Sequence, residues 1–179
     1  MIDHPSGNDL GIAHNARALA GIGQPALRIA KFLCEYSEWR LTNLSLQKIL
    51  YLLEMAYLGK KGRSLIQEDF EAWAFGPVVP NVYERAKIFG SGPVENIFHA
   101  VRNLEPDTDE AEFLRSHLPE LLDLTAGQLV TLTHWQGGAW SKTYRPGIHG
   151  LRIPKSLILE EYARRFGEER EQISHSTAG

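Results

Sequence analysis

Between Leu44 and Leu58 almost every residue is apolar: Leu44, Leu46, Ile49, Leu50, Tyr51, Leu52, Leu53, Met55, Ala56, Tyr57 and Leu58. The run is too short to span a bilayer, and Gln47, Lys48 and Glu54 interrupt it. On a helix Gln47, Tyr51 and Glu54 fall on one narrow stripe, spaced four and then three residues apart, with apolar surface elsewhere. A helix that is apolar on nearly every side has to be surrounded by other elements. The expectation is therefore a mainly α, compact helical domain built around a central buried helix at about 44–58. Asn43 or Ser45 is placed to cap its start. Gly59, Lys60, Lys61 and Gly62 stop it, with cations at the negative end of the dipole and glycine free to take a left-handed cap.

A short strand or hairpin is expected near 65–75. Leu65 and Ile66 read as apolar anchors in a polar loop. The aromatic-rich Phe70 to Phe75 reads as either an extended strand or a short helical turn, broken by Gly76-Pro77. Pro80 suits a first helical turn, and Val79, Val82, Tyr83 and Ala86 follow at helical spacing to about Phe89-Gly90.

Around this centre, Pro25 opens a helix to about Trp39, with Ile29, Phe32, Leu33 and Tyr36 facing inward. Cys34 reads as a small buried hydrophobe. Glu105 to Glu112 reads as a solvated acidic linker and helix start, because the alternation and turn glycine of a calcium loop are absent. Phe113 to Leu122 forms the next helix, with Pro119 placed to kink it. Thr125 caps a helix from Ala126 to Gln136 that buries Leu129, Leu132 and Trp135. Ala139 to Gly147 reads as loop, with Trp140 folded back on the core. Ile153-Pro154 introduces a last helix to Phe166. The division is a flexible N-terminal arm at 1–24, with a brief helical turn at Ala13–Ala20, a helical domain at 25–166, and a tail at 167–179 that frays.

A chain of 179 residues makes one domain with a core large enough to need no staples. A single cysteine precludes an internal disulfide and fits a reducing compartment. The net charge of −3 and the lack of a concentrated basic face argue against a nucleic-acid partner. The opening MIDHPSGNDLG lacks the basic and apolar regions of a secretory signal, and no window is long enough for a membrane span, so a cytoplasmic location is expected.

Histidines are the first candidates for chemistry. His4, His14, His99, His117, His134, His149 and His175 are scattered, with no pair at metal-ligand spacing, so no metal is expected. No glycine cluster matches a phosphate cradle or a nucleophile elbow, so no cofactor is expected. His134, between Thr133 and Trp135, has the side chain of a general base but no evident partner; a structural or binding role is the stronger reading.

Three blocks carry a resemblance. They are LQKILYLLEMAYLGKKGRSL (Leu46 to Leu65), FEAWAFGPVVPNVYERAK (Phe70 to Lys87), and Leu129, Leu132, Thr133, His134 and Trp140 in an L-x-x-L-T-H-x-x-x-x-x-W pattern. Together they resemble the SocA-like Panacea-domain antitoxins, a family found beside phage and toxin genes, over about Pro25 to Phe166. The resemblance implies a mostly helical domain that is no enzyme and neutralises a cognate protein toxin by direct contact. Family members pair with chemically unrelated toxins, and in one branch the antitoxin delivers its toxin to a cytosolic protease. Two alternatives stand beside simple occlusion: such a proteolytic adaptor, and a hydrolase using His134 with Glu71 or Glu54. Trp73, Phe75, Tyr83, His134, Trp135 and Trp140 are the candidate toxin-binding residues, since aromatic anchors dominate interface energetics.

Overall fold

The fold is set by what the central helix must be given on all sides. A computed structural model describes residues 23–176, with side chains from 23 to 167. The expected N-terminal arm, with its helical turn at Ala13–Ala20, lies outside the described residues apart from Gly23 and Gln24. Helix α1 spans Ala26–Tyr36 and helix α2 spans Asn43–Lys61. A hairpin of β1 (Phe70–Trp73) and β2 (Gly76–Val78) follows. Then come α3 (Pro80–Ala86) with a 3-10 turn at Lys87–Phe89, α4 (Asp109–Leu122) and α5 (Ala126–Thr133). The short α6 (Ala139–Thr143), the two-residue β3 (Arg152–Ile153) and α7 (Lys155–Ser176) complete the order. Helix α2 is packed by α1, α3, α4, α5, α7 and the hairpin. The sheet order is β2-β1-β3, antiparallel throughout, with Glu71 opposite Val78, Trp73 opposite Gly76 and Phe70 opposite Ile153.

Helix α2 buries Leu46, Ile49, Leu50, Tyr51, Leu53, Tyr57 and Leu58 and leaves Leu44 partly exposed. Its cap is Thr42, whose hydroxyl accepts from Ser45 N at 3.2 Å. Asn43, one of the two expected caps, is buried instead and accepts from Gln47 Nε2 at 3.2 Å. The helix ends where the glycines predict, with Gly62 left-handed at φ 68°. Its polar stripe is buried along with the rest. Glu54 is fully enclosed and accepts from Leu65 N at 2.9 Å, Ile66 N at 3.0 Å and Lys155 Nζ at 2.8 Å. Tyr51 donates to Glu161 Oε2 at 2.6 Å, and the same oxygen accepts from Ala139 N at 2.8 Å. Burial, together with the Glu161 carboxylate, holds the Tyr51 phenol well above its usual range, so it remains a donor. One face of α2 thus ties down the 65–66 turn, α6 and α7.

Several boundaries differ from the pattern reading. Helix α1 ends at Tyr36 rather than near Trp39, because Glu38 and Trp39 take positive φ values of 54° and 58°. Its buried face is Ala26, Ile29, Ala30, Leu33 and Cys34, while Tyr36 is exposed. Burial pushes the Cys34 thiol up to about 12 and leaves it an inert packing group. The fourth helix begins at Asp109, not Phe113: Thr108 caps it, accepting from Ala111 N at 3.3 Å, and Asp109, Glu110 and Glu112 occupy the favourable first turn. Glu110 is no solvated linker residue but is buried and paired with Arg63 at 2.6 Å. Pro119 sits within this helix without ending it. Thr125 forms the expected cap as part of a capping box with Gln128. Helix α5 stops at Thr133 rather than Gln136, and α6 forms where loop was expected. Helix α7 continues past Phe166 to Ser176, since GEEREQISHS carries no proline to stop it.

Replacing Glu54 by Ala leaves the buried Lys155 ammonium without its counter-charge and two buried N–H groups unpaired. We expect a loss of about 3–5 kcal/mol in urea unfolding, against less than about 0.5 kcal/mol for Glu95→Ala, an exposed side chain.

Candidate functional site

Helix α2 anchors a largely buried hairpin with an exposed tip. Gln47 Oε1 accepts from Val79 N at 2.8 Å. Lys48 Nζ donates to Pro77 O at 3.0 Å. From the other side Trp140 Nε1 donates to Trp73 O at 2.8 Å. Trp140 in turn packs between His134 (4.0 Å between ring centres) and Tyr144 (5.0 Å, stacked). The chain reverses at Ala74-Phe75, and Gly76 takes φ +102°. A side chain at Gly76 has no room: its Cβ would lie 2.7 Å from Lys48 Nζ and 3.0 Å from the His134 ring. Lysine, glycine, histidine and tryptophan, far apart in sequence, therefore meet at the base of one turn.

Held this way, the turn presents Phe75, 77% exposed, at its tip. Beside it lies a groove of about 530 Å³. Its walls include Trp73 and Tyr83, which meet edge to face at 4.8 Å, and its mouth carries Leu44, Phe75 and Ile148. Leu44 is 39% and Ile148 52% exposed. Asn43, Gln47 and Lys48 of α2 form the floor. Burial pushes the Lys48 ammonium down to about 7.

Of the six candidate residues, Trp73, Phe75 and Tyr83 line this groove. His134 and Trp140 stand behind the hairpin, with His134 Nδ1 2.8 Å from Val130 O. Trp135 faces α7, where Arg164 and Arg165 lie over its ring at 5.3 and 4.8 Å. Pattern reading missed Leu44, Ile148 and Lys48. A lysine inside a buried apolar run was a signal for Lys48; Ile148, in a glycine-flanked loop, had none. Of the two carboxylates considered beside His134, Glu54 accepts from Leu65, Ile66 and Lys155, and Glu71 accepts the Trp73 indole at 2.8 Å. Among the described residues no group of three or more His, Cys, Asp or Glu is placed to hold a metal ion, and no helix is long and apolar enough to cross a membrane.

Comparison with known proteins bears on this part of the chain. The family model described as "Antitoxin SocA-like, Panacea domain" matches residues 46–141, a span that includes Lys48, Trp73, Gly76, His134 and Trp140. The chain belongs to this antitoxin family. It is 33% identical over 135 residues to Antitoxin SocA of Caulobacter vibrioides, covering 68% of this chain and 72% of that protein. No solved structure matches. Within the Panacea domain the matched span covers α2, the hairpin and the support behind it. Tyr144, Ile148 and His149, on the far side of the groove, fall after the match.

Two measurements check this geometry. Gly76→Ala forces a strained backbone against Lys48, and we expect a loss of about 1–3 kcal/mol in chemical denaturation. Lys48 ionises at about 7 when folded and about 10.4 when unfolded. Between those values the unfolded chain binds the extra proton, so stability rises with pH. From about pH 7 to 8.5 the rise is up to about 1.4 kcal/mol per pH unit, and Lys48→Met abolishes it.

Proposed function

We propose that this antitoxin neutralises a protein toxin by binding it directly, with the hairpin tip and its groove as the docking face. The carrying observation is Phe75. A large apolar side chain 77% exposed at the tip of a rigidly supported turn contributes nothing to the core. It stands at the mouth of an aromatic-walled groove continuous with exposed Leu44 and Ile148. A rigid anchor beside a concave apolar surface is the usual anatomy of an interface hot spot. Trp73 and Tyr83 contribute the walls, whereas His134 and Trp140 act through the hairpin they support.

Trp135 is assigned to the α5–α7 packing and not to the docking face, because two guanidinium groups cover its ring. Antitoxin SocA gives the family its function. The partners already held by Glu54 and Glu71 support a binding role over the hydrolase alternative. The reading places the protein and its toxin together in the cytoplasm.

The test is co-expression with the protein encoded beside it. Growth arrest by that neighbour is relieved by this chain, and the two co-purify. Phe75→Ala weakens the complex by at least about 2 kcal/mol, roughly thirtyfold, with an unchanged melting temperature. Equal affinity of wild type and Phe75→Ala for the toxin contradicts the assigned face.

A further inference from the structure

The floor of the groove holds more hydrogen-bond donors than the fold uses. Lys48 Nζ carries three N–H groups when protonated and gives one, to Pro77 O. Gln47 Nε2 gives one of two to Asn43 Oδ1, and Asn43 Nδ2 reaches only Tyr83 O, at 3.5 Å. Each acceptor on the same floor already takes one hydrogen bond: Gln47 Oε1 from Val79 N, Asn43 Oδ1 from Gln47. No carboxylate lines the groove, and its ionisable lining beyond the two tyrosines is Lys48, Lys87 and His149. Two carboxylates stand outside the groove lining. Glu84 is paired with Lys87, Glu71 is held by the Trp73 indole, and His134 sits behind Gly76. The walls, by contrast, are apolar and aromatic.

These donors are already nearly out of water, with Lys48 and Gln47 each 1% and Asn43 5% exposed, and a purely apolar occupant would leave their spare N–H groups without acceptors. An occupant with an anionic oxygen at its inner end would instead form charge-assisted hydrogen bonds out of water, which are the strong ones. We infer that the groove recognises a carboxylate: the occupant is a segment of the toxin whose carboxyl group, carried on or beside an apolar side chain, meets Lys48 and Asn43 on the floor. This rests on the reading of the groove as the toxin-docking face. Its volume suits a small number of side chains rather than a whole domain surface.

The inference has a signature that packing alone would not give. Burial holds Lys48 near neutrality in the free protein, and an adjacent carboxylate draws a proton onto it. Binding is then coupled to proton uptake, and affinity falls by up to about tenfold per pH unit above about pH 7.

The experiment titrates the full chain with phenylpropionate and with its neutral isostere phenylpropanamide, following the Trp73 indole N–H by NMR, and measures toxin affinity in parallel. The acid binds roughly tenfold tighter than the amide at about pH 7. That preference shrinks toward about pH 8.5 and is lost in Lys48→Met. Lys48→Met also weakens toxin binding by roughly tenfold or more. Acid and amide binding alike, or an acid preference that survives Lys48→Met, overturns the inference. If Lys48→Met does not fold, the pH dependence in the wild type decides. Equal binding of acid and amide alongside a toxin complex that still depends on Phe75 refutes carboxylate recognition and leaves the docking face standing. An acid preference with toxin affinity unchanged in both Phe75→Ala and Lys48→Met removes the toxin segment as occupant.

Discussion

The structure depends on buried polar side chains of one helix bonding to the backbone of an irregular segment. From Ser64 to Val79 the chain makes a turn, a three-residue loop and a short hairpin, and much of this backbone is out of water. Buried N–H and C=O groups need partners, and a three- or four-residue strand supplies few. Helix α2 supplies them: Glu54 to Leu65 and Ile66, Lys48 to Pro77, Gln47 to Val79. The negative charge this buries is balanced by Lys155 at the start of α7. Taking these groups out of water is costly unless all are paired, so the segment and α7 must dock together.

That arrangement divides the hairpin into a supported base and a presented tip. Gly76, His134, Trp140 and Lys48 set where the turn sits, and Phe75, Leu44 and Ile148 form what the turn and its neighbours show to solvent. Substitutions at the base act through stability and hairpin position together. On the proposed reading, substitutions at the tip act on recognition. The matched family span covers the base and Phe75, while Leu44 lies before it and Ile148 and His149 after it.

Most of the fold was legible in the sequence because its signals are local. The apolar run of α2, the Gly62 stop, the Pro80 start of α3 and the Thr125 capping box each need only a few neighbouring residues. The strand reading of Phe70 to Trp73 was settled by pairing with Gly76–Val78 and Arg152–Ile153, the second of which is distant in sequence. What was hidden is long-range. Glu54, Gln47 and Tyr51 read as a polar stripe, and only the fold shows that all three are enclosed. Glu110 looked like part of a solvated acidic run until Arg63 was placed beside it. Trp135 and Trp140, five positions apart, have different surroundings because Gly137-Gly138 turns the chain between them. One packs on arginines and the other braces the hairpin.

The central claim is that side chains of α2 hold this backbone, and native-state amide hydrogen exchange tests it directly. Leu65, Ile66 and Val79 donate to Glu54 and Gln47, not to a helix or a strand partner. The account predicts that these three amides exchange only through global unfolding, as slowly as the core amides of α2. Exchange through local opening, orders of magnitude faster than the α2 core, would show that the hairpin stands without the clamp.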